Sequence, residues 1–183
     1  MSLKIKAKKL PEARKSAIQR FEAALKNPGR FSILLLGERG TGKSYWLKQK
    51  AKEAGLKLRV LHPAFSKESP VWWQEQFESA NGGILAIDEA DQLSPQNQNI
   101  LFRILSTTDG RFGWEEKSLE VRTVFISSKP IPLLRDTEKF FSHPFFDRIG
   151  QLIIQMPNLK GISRSEIWND FMATWEKMNF STK

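Results

Sequence analysis

The stretch GERGTGKS, Gly37 to Ser44, sets two glycines, a lysine and a hydroxyl at the spacing of a phosphate-binding loop. Glycines at Gly37, Gly40 and Gly42 allow backbone N–H groups of the loop, with Glu38, Arg39 and Thr41 between them, to turn inward around phosphate oxygens. Lys43 has the reach for β- and γ-phosphates, and the Ser44 hydroxyl suits Mg²⁺. A second stretch, ILAIDEAD, ends an apolar run in two acids. Asp88 is placed to hold Mg²⁺ through water, and Glu89 to orient and deprotonate an attacking water. Together these residues predict Mg²⁺-dependent ATP hydrolysis rather than nucleotide binding alone.

Such a site needs strands to carry its loops. FSILLLG, just before the glycine-rich loop, is a short continuous apolar run, as expected of a strand buried on both faces. A helix is predicted from Ser44 to Ala54, then a strand in LKLRVL. Another helix follows Ser69 and Pro70, and a strand runs from Ile84 to Asp88. Ser94 and Pro95 cap a further helix, with Leu101, Ile104 and Leu105 on one face. RTVFISS and GQLIIQM supply two more strands. Upstream, Pro11 opens a helical pattern through Ala17, Ile18, Phe21, Ala24 and Leu25, ended by Asn27–Gly29. DGRFGWEEKSLEV reads as a hairpin. Ser163 and Glu166 have capping-box spacing ahead of Ile167, Phe171 and Trp175. Strands alternating with helices predict an α/β fold, a five-stranded, mainly parallel sheet covered on both faces.

The chain has 183 residues and no cysteine, which suits one domain and excludes thiol chemistry. The start has no apolar core, so it is not a signal peptide, and no apolar run approaches spanning length. A cytoplasmic location without a membrane partner is the expectation. Net charge is +9, and Lys4, Lys6, Lys8, Lys9, Arg14, Lys15 and Arg20 crowd the start. This basic arm suits either nucleic-acid phosphates or simple solvation. The expected divisions are an arm over 1–10, a nucleotide-binding core over 11–160 and a C-terminal helix over 161–183.

The ordered set LLLGERGTGKS, NGGILAIDEADQLSPQNQNILFRIL, DGRFGWEEKSLEVRTVFISS and FFSHPFFDRIGQLIIQMPNLKG resembles the AAA+ P-loop ATPases. Within them it is most similar to the ATPase domain of bacterial enhancer-binding proteins, the activators of sigma-54 RNA polymerase. The resemblance implies that Gly37–Ser44 bind ATP, Asp88 serves Mg²⁺ and Glu89 is the catalytic base. It places Ser127 and Ser128 on a polar sensor pair near the γ-phosphate, and His62 where relatives often carry an asparagine that restrains the catalytic glutamate. It makes Arg148 an arginine finger that enters a neighbouring subunit's site, and so implies an ATP-dependent homo-oligomeric ring. Ser142 stands where relatives carry a further arginine.

Two departures accompany the resemblance. The path from Ser44 to Gly82 leaves no room for the long GAFTGA-tipped insertion that grips sigma-54, which puts that contact in doubt. The residues after the last strand leave room for only part of an AAA+ lid. Three outputs therefore stay open: a regulator like the enhancer-binding proteins, a DNA-associated motor or loader, and a nucleotide-dependent binding module with little turnover. Trp72 and Trp73 are either a partner patch or core. Arg111, Phe112 and Trp114 in the hairpin are either pore contacts or packing.

Overall fold

The computed structural model describes residues 2–26, 31–106, 119–136 and 138–158. The predicted hairpin tip and the C-terminal helix lie outside the described residues. The first helix, α1, runs Ser2–Lys26 and passes through Pro11 instead of starting there. The lysines, alanine and leucine before Pro11 are good helix formers, and proline costs a helix one hydrogen bond without always ending it.

Five strands follow: β1 (Ile33–Leu36), β2 (Leu58–Leu61), β3 (Ile84–Ile87), β4 (Arg122–Ser127) and β5 (Leu152–Gln155). They form one sheet in the order β2-β3-β4-β1-β5, and every pairing is parallel. The helices between them are α2 (Lys43–Glu53), α3 (Pro70–Ser79), α4 (Pro95–Leu105), α5 (Ile131–Arg135) and α6 (His143–Ile149). The predicted caps are present. Ser69 Oγ accepts from the Trp72 amide at 3.4 Å and Ser94 Oγ from the Asn97 amide at 3.2 Å.

Strand alternation sorts the apolar residues into two layers. Leu34, Leu36, Leu85, Ile87 and Phe125 face α3, α4 and α6, where Trp73, Phe77, Leu101, Ile104 and Phe145 are buried. Ile33, Leu35, Ala86, Val124 and Ile126 face α1 and α2, against Phe21, Leu25, Trp46 and Leu47. Trp73 is fully buried, and its indole N–H donates to Asn97 Oδ1 at 2.7 Å. Trp72 is half-buried and edge-on to it, so the pair is core.

A charge cluster ties α1 to α2. Lys50 Nζ lies 2.6 Å from Glu53 Oε2 and 3.3 Å from Glu22 Oε2, and Lys26 holds the other Glu22 oxygen at 2.8 Å. Glu22 is held below the usual carboxylate range, first by Lys26, with burial opposing and Lys50 assisting. Burial works against ionised Glu53, but Lys50 and Gln49 outweigh it and lower that pKa too. Burial likewise opposes the charge on Lys50, which Glu53 and Glu22 outweigh, raising its pKa. Carboxyls with lowered pKa values add stability above their unfolded values and lose it as pH falls through the folded ones. A lysine with a raised pKa adds stability below its unfolded value and loses it as pH rises through the folded one. The cluster therefore contributes most across the neutral range. Lys50→Met is expected to lower Tm at neutral pH by about 2–4 °C, the shift from roughly 1 kcal/mol in a chain of this size. Thermal melts at about pH 7 and about pH 3 check this, because the loss should shrink as the carboxyls protonate. An equal loss at both would contradict it.

Candidate functional site

Because the strands are parallel, β1, β4 and β3 deliver their C-terminal ends to one edge, where α/β sheets bind ligands. The loop after β1 turns sharply. Gly37 has φ +154°, and a Cβ there would lie 2.9 Å from Met156 Cβ and 3.0 Å from its carbonyl oxygen. Gly42 has φ +84° and caps α2, so the loop enters the helix in a conformation that suits glycine. From α1, Arg14 Nη1 donates to the Thr41 carbonyl at 3.2 Å, and its guanidinium lies 5.9 Å from the Trp46 ring centroid. Arg20, exposed on the same helix, donates to the Ile153 carbonyl of the edge strand β5 at 3.4 Å. Part of the basic patch in the first helix thus braces the phosphate loop and the sheet. The sequence offered no signal for this beyond charge.

A cavity of about 400 Å³ opens over the loop. Its lining includes Arg39, Gly40, Gly42, Lys43, Ser44, Asp88, Glu89 and Ser128, all predicted site residues. Tyr45 and His62 line it too. Tyr45 was not read from the sequence, where it looks like an ordinary residue of α2. Lys43 is 8% exposed, and its ammonium donates to the Gly37 carbonyl at 2.6 Å, the Glu38 carbonyl at 3.0 Å and Ser128 Oγ at 3.1 Å. Burial pushes the Lys43 pKa down. Asp88 and Asp91 oppose the shift, and Arg39 adds to it. Thr41 Oγ1 donates to the Glu38 carbonyl at 2.8 Å, and Glu38 accepts from Asn158 at 2.6 Å, so both side chains are spent on loop shape.

Ser44 Oγ donates to Asp88 Oδ2 at 2.9 Å, while Asp88 Oδ1 accepts from the Glu89 amide at 3.0 Å. A hydroxyl beside a carboxylate suits Mg²⁺, which binds through few protein groups and keeps water and phosphate ligands. Among the described residues no group of three or more His, Cys, Asp or Glu side chains forms an all-protein cage, and a site of that kind needs none.

Glu89 has left-handed backbone, φ 52° and ψ 42°, a strain of about 1–3 kcal/mol for a non-glycine residue. Its Oε2 lies 2.9 Å from His62 Nε2 and accepts from Gln92 Nε2 at 2.6 Å, while Oε1 meets Arg39 Nη2 at 3.3 Å. The Ala64 amide donates to His62 Nδ1 at 3.2 Å, so Nε2 carries the proton directed at Glu89. The His62 hydrogen bond is the main reason that the Glu89 carboxyl sits below its ordinary pKa. Burial opposes it, and Arg39 and Gln92 assist. The expected sensor serines divide. Ser128 meets Lys43, whereas buried Ser127 donates to Asp91 Oδ1 at 2.5 Å and accepts from the Lys129 amide. Bonded to Asp91, Ser127 does not line the cavity.

Arg148 lies in the last turn of α6, fixed by buried Phe145, Phe146 and Ile149. It does not line the cavity of its own chain. Among the described residues its buried Nε has no hydrogen-bond partner, and it makes no salt bridge with Asp147 or any other acid. Ser142 starts the same helix, and its amide donates to Gln98 at 2.9 Å.

The signature of the sigma-54 interaction domain matches residues 13–159. The Nif-specific regulatory protein of Rhizobium meliloti (strain 1021) is 28% identical over 154 residues, covering 70% of this chain and 28% of its own length. NtrX from Brucella abortus in complex with ATP superposes with a TM-score of 0.63 at 20% identity, over 91% of this chain and 42% of NtrX. The P-loop NTPase domain of the sigma-54 transport activator from E. coli superposes at 0.52 with 17% identity, over 78% of this chain and 93% of that domain. The chain thus spans well under half the length of the regulators it matches. A match across most of the sequence, on a parallel sheet carrying a phosphate loop and an acidic strand end, places this chain in the sigma-54 interaction domain family of AAA+ P-loop ATPases.

Proposed function

We propose that the chain binds ATP with Mg²⁺ and hydrolyses it to ADP and phosphate, as an oligomer in which Arg148 of one copy completes the site of the next. The observation that carries this reading is the convergence of Lys43, the Ser44–Asp88 pair and Glu89 on one cavity. Lys43 exchanges its loop carbonyls for phosphate oxygens. Ser44 and Asp88 hold Mg²⁺, whose charge offsets that of the phosphates. Glu89 takes a proton from the water that attacks the γ-phosphorus, and ADP departs with the electrons of the broken P–O bond. Arg148, which makes no salt bridge among the described residues, supplies positive charge to a neighbour's γ-phosphate. The existence of NtrX in complex with ATP is consistent with the reading.

The output belongs with nucleotide-driven regulators, but a sigma-factor contact through a long insertion has no residues to make it. Between Ser44 and Gly82 lie the rest of α2, β2, a single turn at Pro63–Phe65 and α3. Calorimetry with ATP tests the nucleotide reading. One Mg²⁺-dependent site per chain is expected, with affinity about 10–100-fold weaker in Lys43→Ala, the loss expected of a charged hydrogen-bonding partner. Absence of binding by the wild-type chain would refute it.

A further inference from the structure

Glu89 is held unevenly. His62 and Gln92 both grip Oε2, whereas among the described residues Oε1 has one hydrogen-bond partner, Arg39. Arg39 comes from the phosphate loop itself, two residues after Gly37, and its side chain is 83% exposed on the cavity rim. An exposed ion pair at 3.3 Å is weak in water and readily exchanged. Arg39 also shares the cavity with Lys43, so two cations converge where one carboxylate oxygen answers the guanidinium. A guanidinium forks onto phosphate oxygens at least as well as onto a carboxylate, and a terminal phosphate carries more charge than Glu89.

We propose that Arg39 distinguishes a nucleoside triphosphate from a diphosphate, by moving from Glu89 Oε1 to the terminal phosphate. The move uncovers Oε1 while His62 and Gln92 keep the carboxylate anchored by Oε2. Arg39 is thus a positioning residue for Glu89 and a ligand of the third phosphate, both within one chain. The inference rests on the nucleotide reading above and deepens it.

The test is calorimetry on the full chain with Mg²⁺, comparing ADP and a non-hydrolysable ATP analogue. Arg39→Ala is expected to weaken the triphosphate analogue about tenfold and ADP less than twofold, since one charge-assisted contact is lost. Arg39→Gln should behave alike, which guards against a folding artefact in either variant. Glu89→Gln should tighten the triphosphate in the Arg39 chain, where the competing carboxylate charge is gone, and leave it unchanged in the Arg39→Ala background. Equal weakening of both nucleotides by Arg39→Ala, or no weakening of either, would overturn the proposal and leave the nucleotide reading standing. Failure of the wild-type chain to bind either nucleotide would overturn both.

Discussion

Glu89→Gln should bind ATP at least as well as the wild-type chain and hydrolyse it about 10²–10⁴-fold more slowly, the usual worth of a positioned base. Glutamine keeps the size and can still meet Gln92 and His62, so the fold and the left-handed turn survive. What it loses is the ability to accept a proton. In the resting chain Glu89 is a weak base, because the His62 hydrogen bond first, then the nearby positive charge of Arg39, favours the carboxylate. The lowered pKa also keeps the carboxylate ionised to more acidic pH than an ordinary glutamate. Binding measured by calorimetry and turnover by phosphate release separate the effects. Full turnover in Glu89→Gln would remove this residue from the chemistry.

Arg148→Ala should retain ATP binding and lose about 10³–10⁵-fold in turnover, the range seen for arginine fingers. Its stability should not fall, since the arginine leaves a buried Nε unsatisfied and makes no salt bridge among the described residues. Such an orphan costs about 1–3 kcal/mol. Neither inactive variant should stay inactive when mixed with the other. A contact between Arg148→Ala and Glu89→Gln chains can pair an intact Glu89 with an intact Arg148, one from each copy. Recovery of phosphate release on mixing is therefore expected. A mixture as inactive as its parts would show that Arg148 does not work across copies.

What the sequence made legible is what spacing along one segment determines. The phosphate loop, the acidic strand end and the caps at Ser69 and Ser94 are each written within about ten consecutive residues. The buried strands show as continuous apolar runs because both faces of a parallel sheet are covered. The grip on Glu89 was only partly legible. His62 follows β2 and Arg39 belongs to the phosphate loop, so two separate segments converge on a carboxylate that Gln92 holds from its own turn. Resemblance placed His62 near the glutamate, and the structure brings it to 2.9 Å. Nothing in the spacing marked Arg39 as its second partner. The separate contacts of the serine pair were illegible for a similar reason. Adjacent residues at a strand end point to opposite sides, so one meets Lys43 and the other Asp91. Arg14 shows the same limit, because it reads as one charge among many until α1 is laid against the phosphate loop.

The most direct test of the composite site is phosphate release per chain, measured with Mg²⁺·ATP across a wide range of protein concentration. The rate per chain is expected to rise with concentration and then level off, as Arg148 of one copy reaches the cavity of another. A rate per chain that is constant down to concentrations at which the protein is monomeric would contradict it.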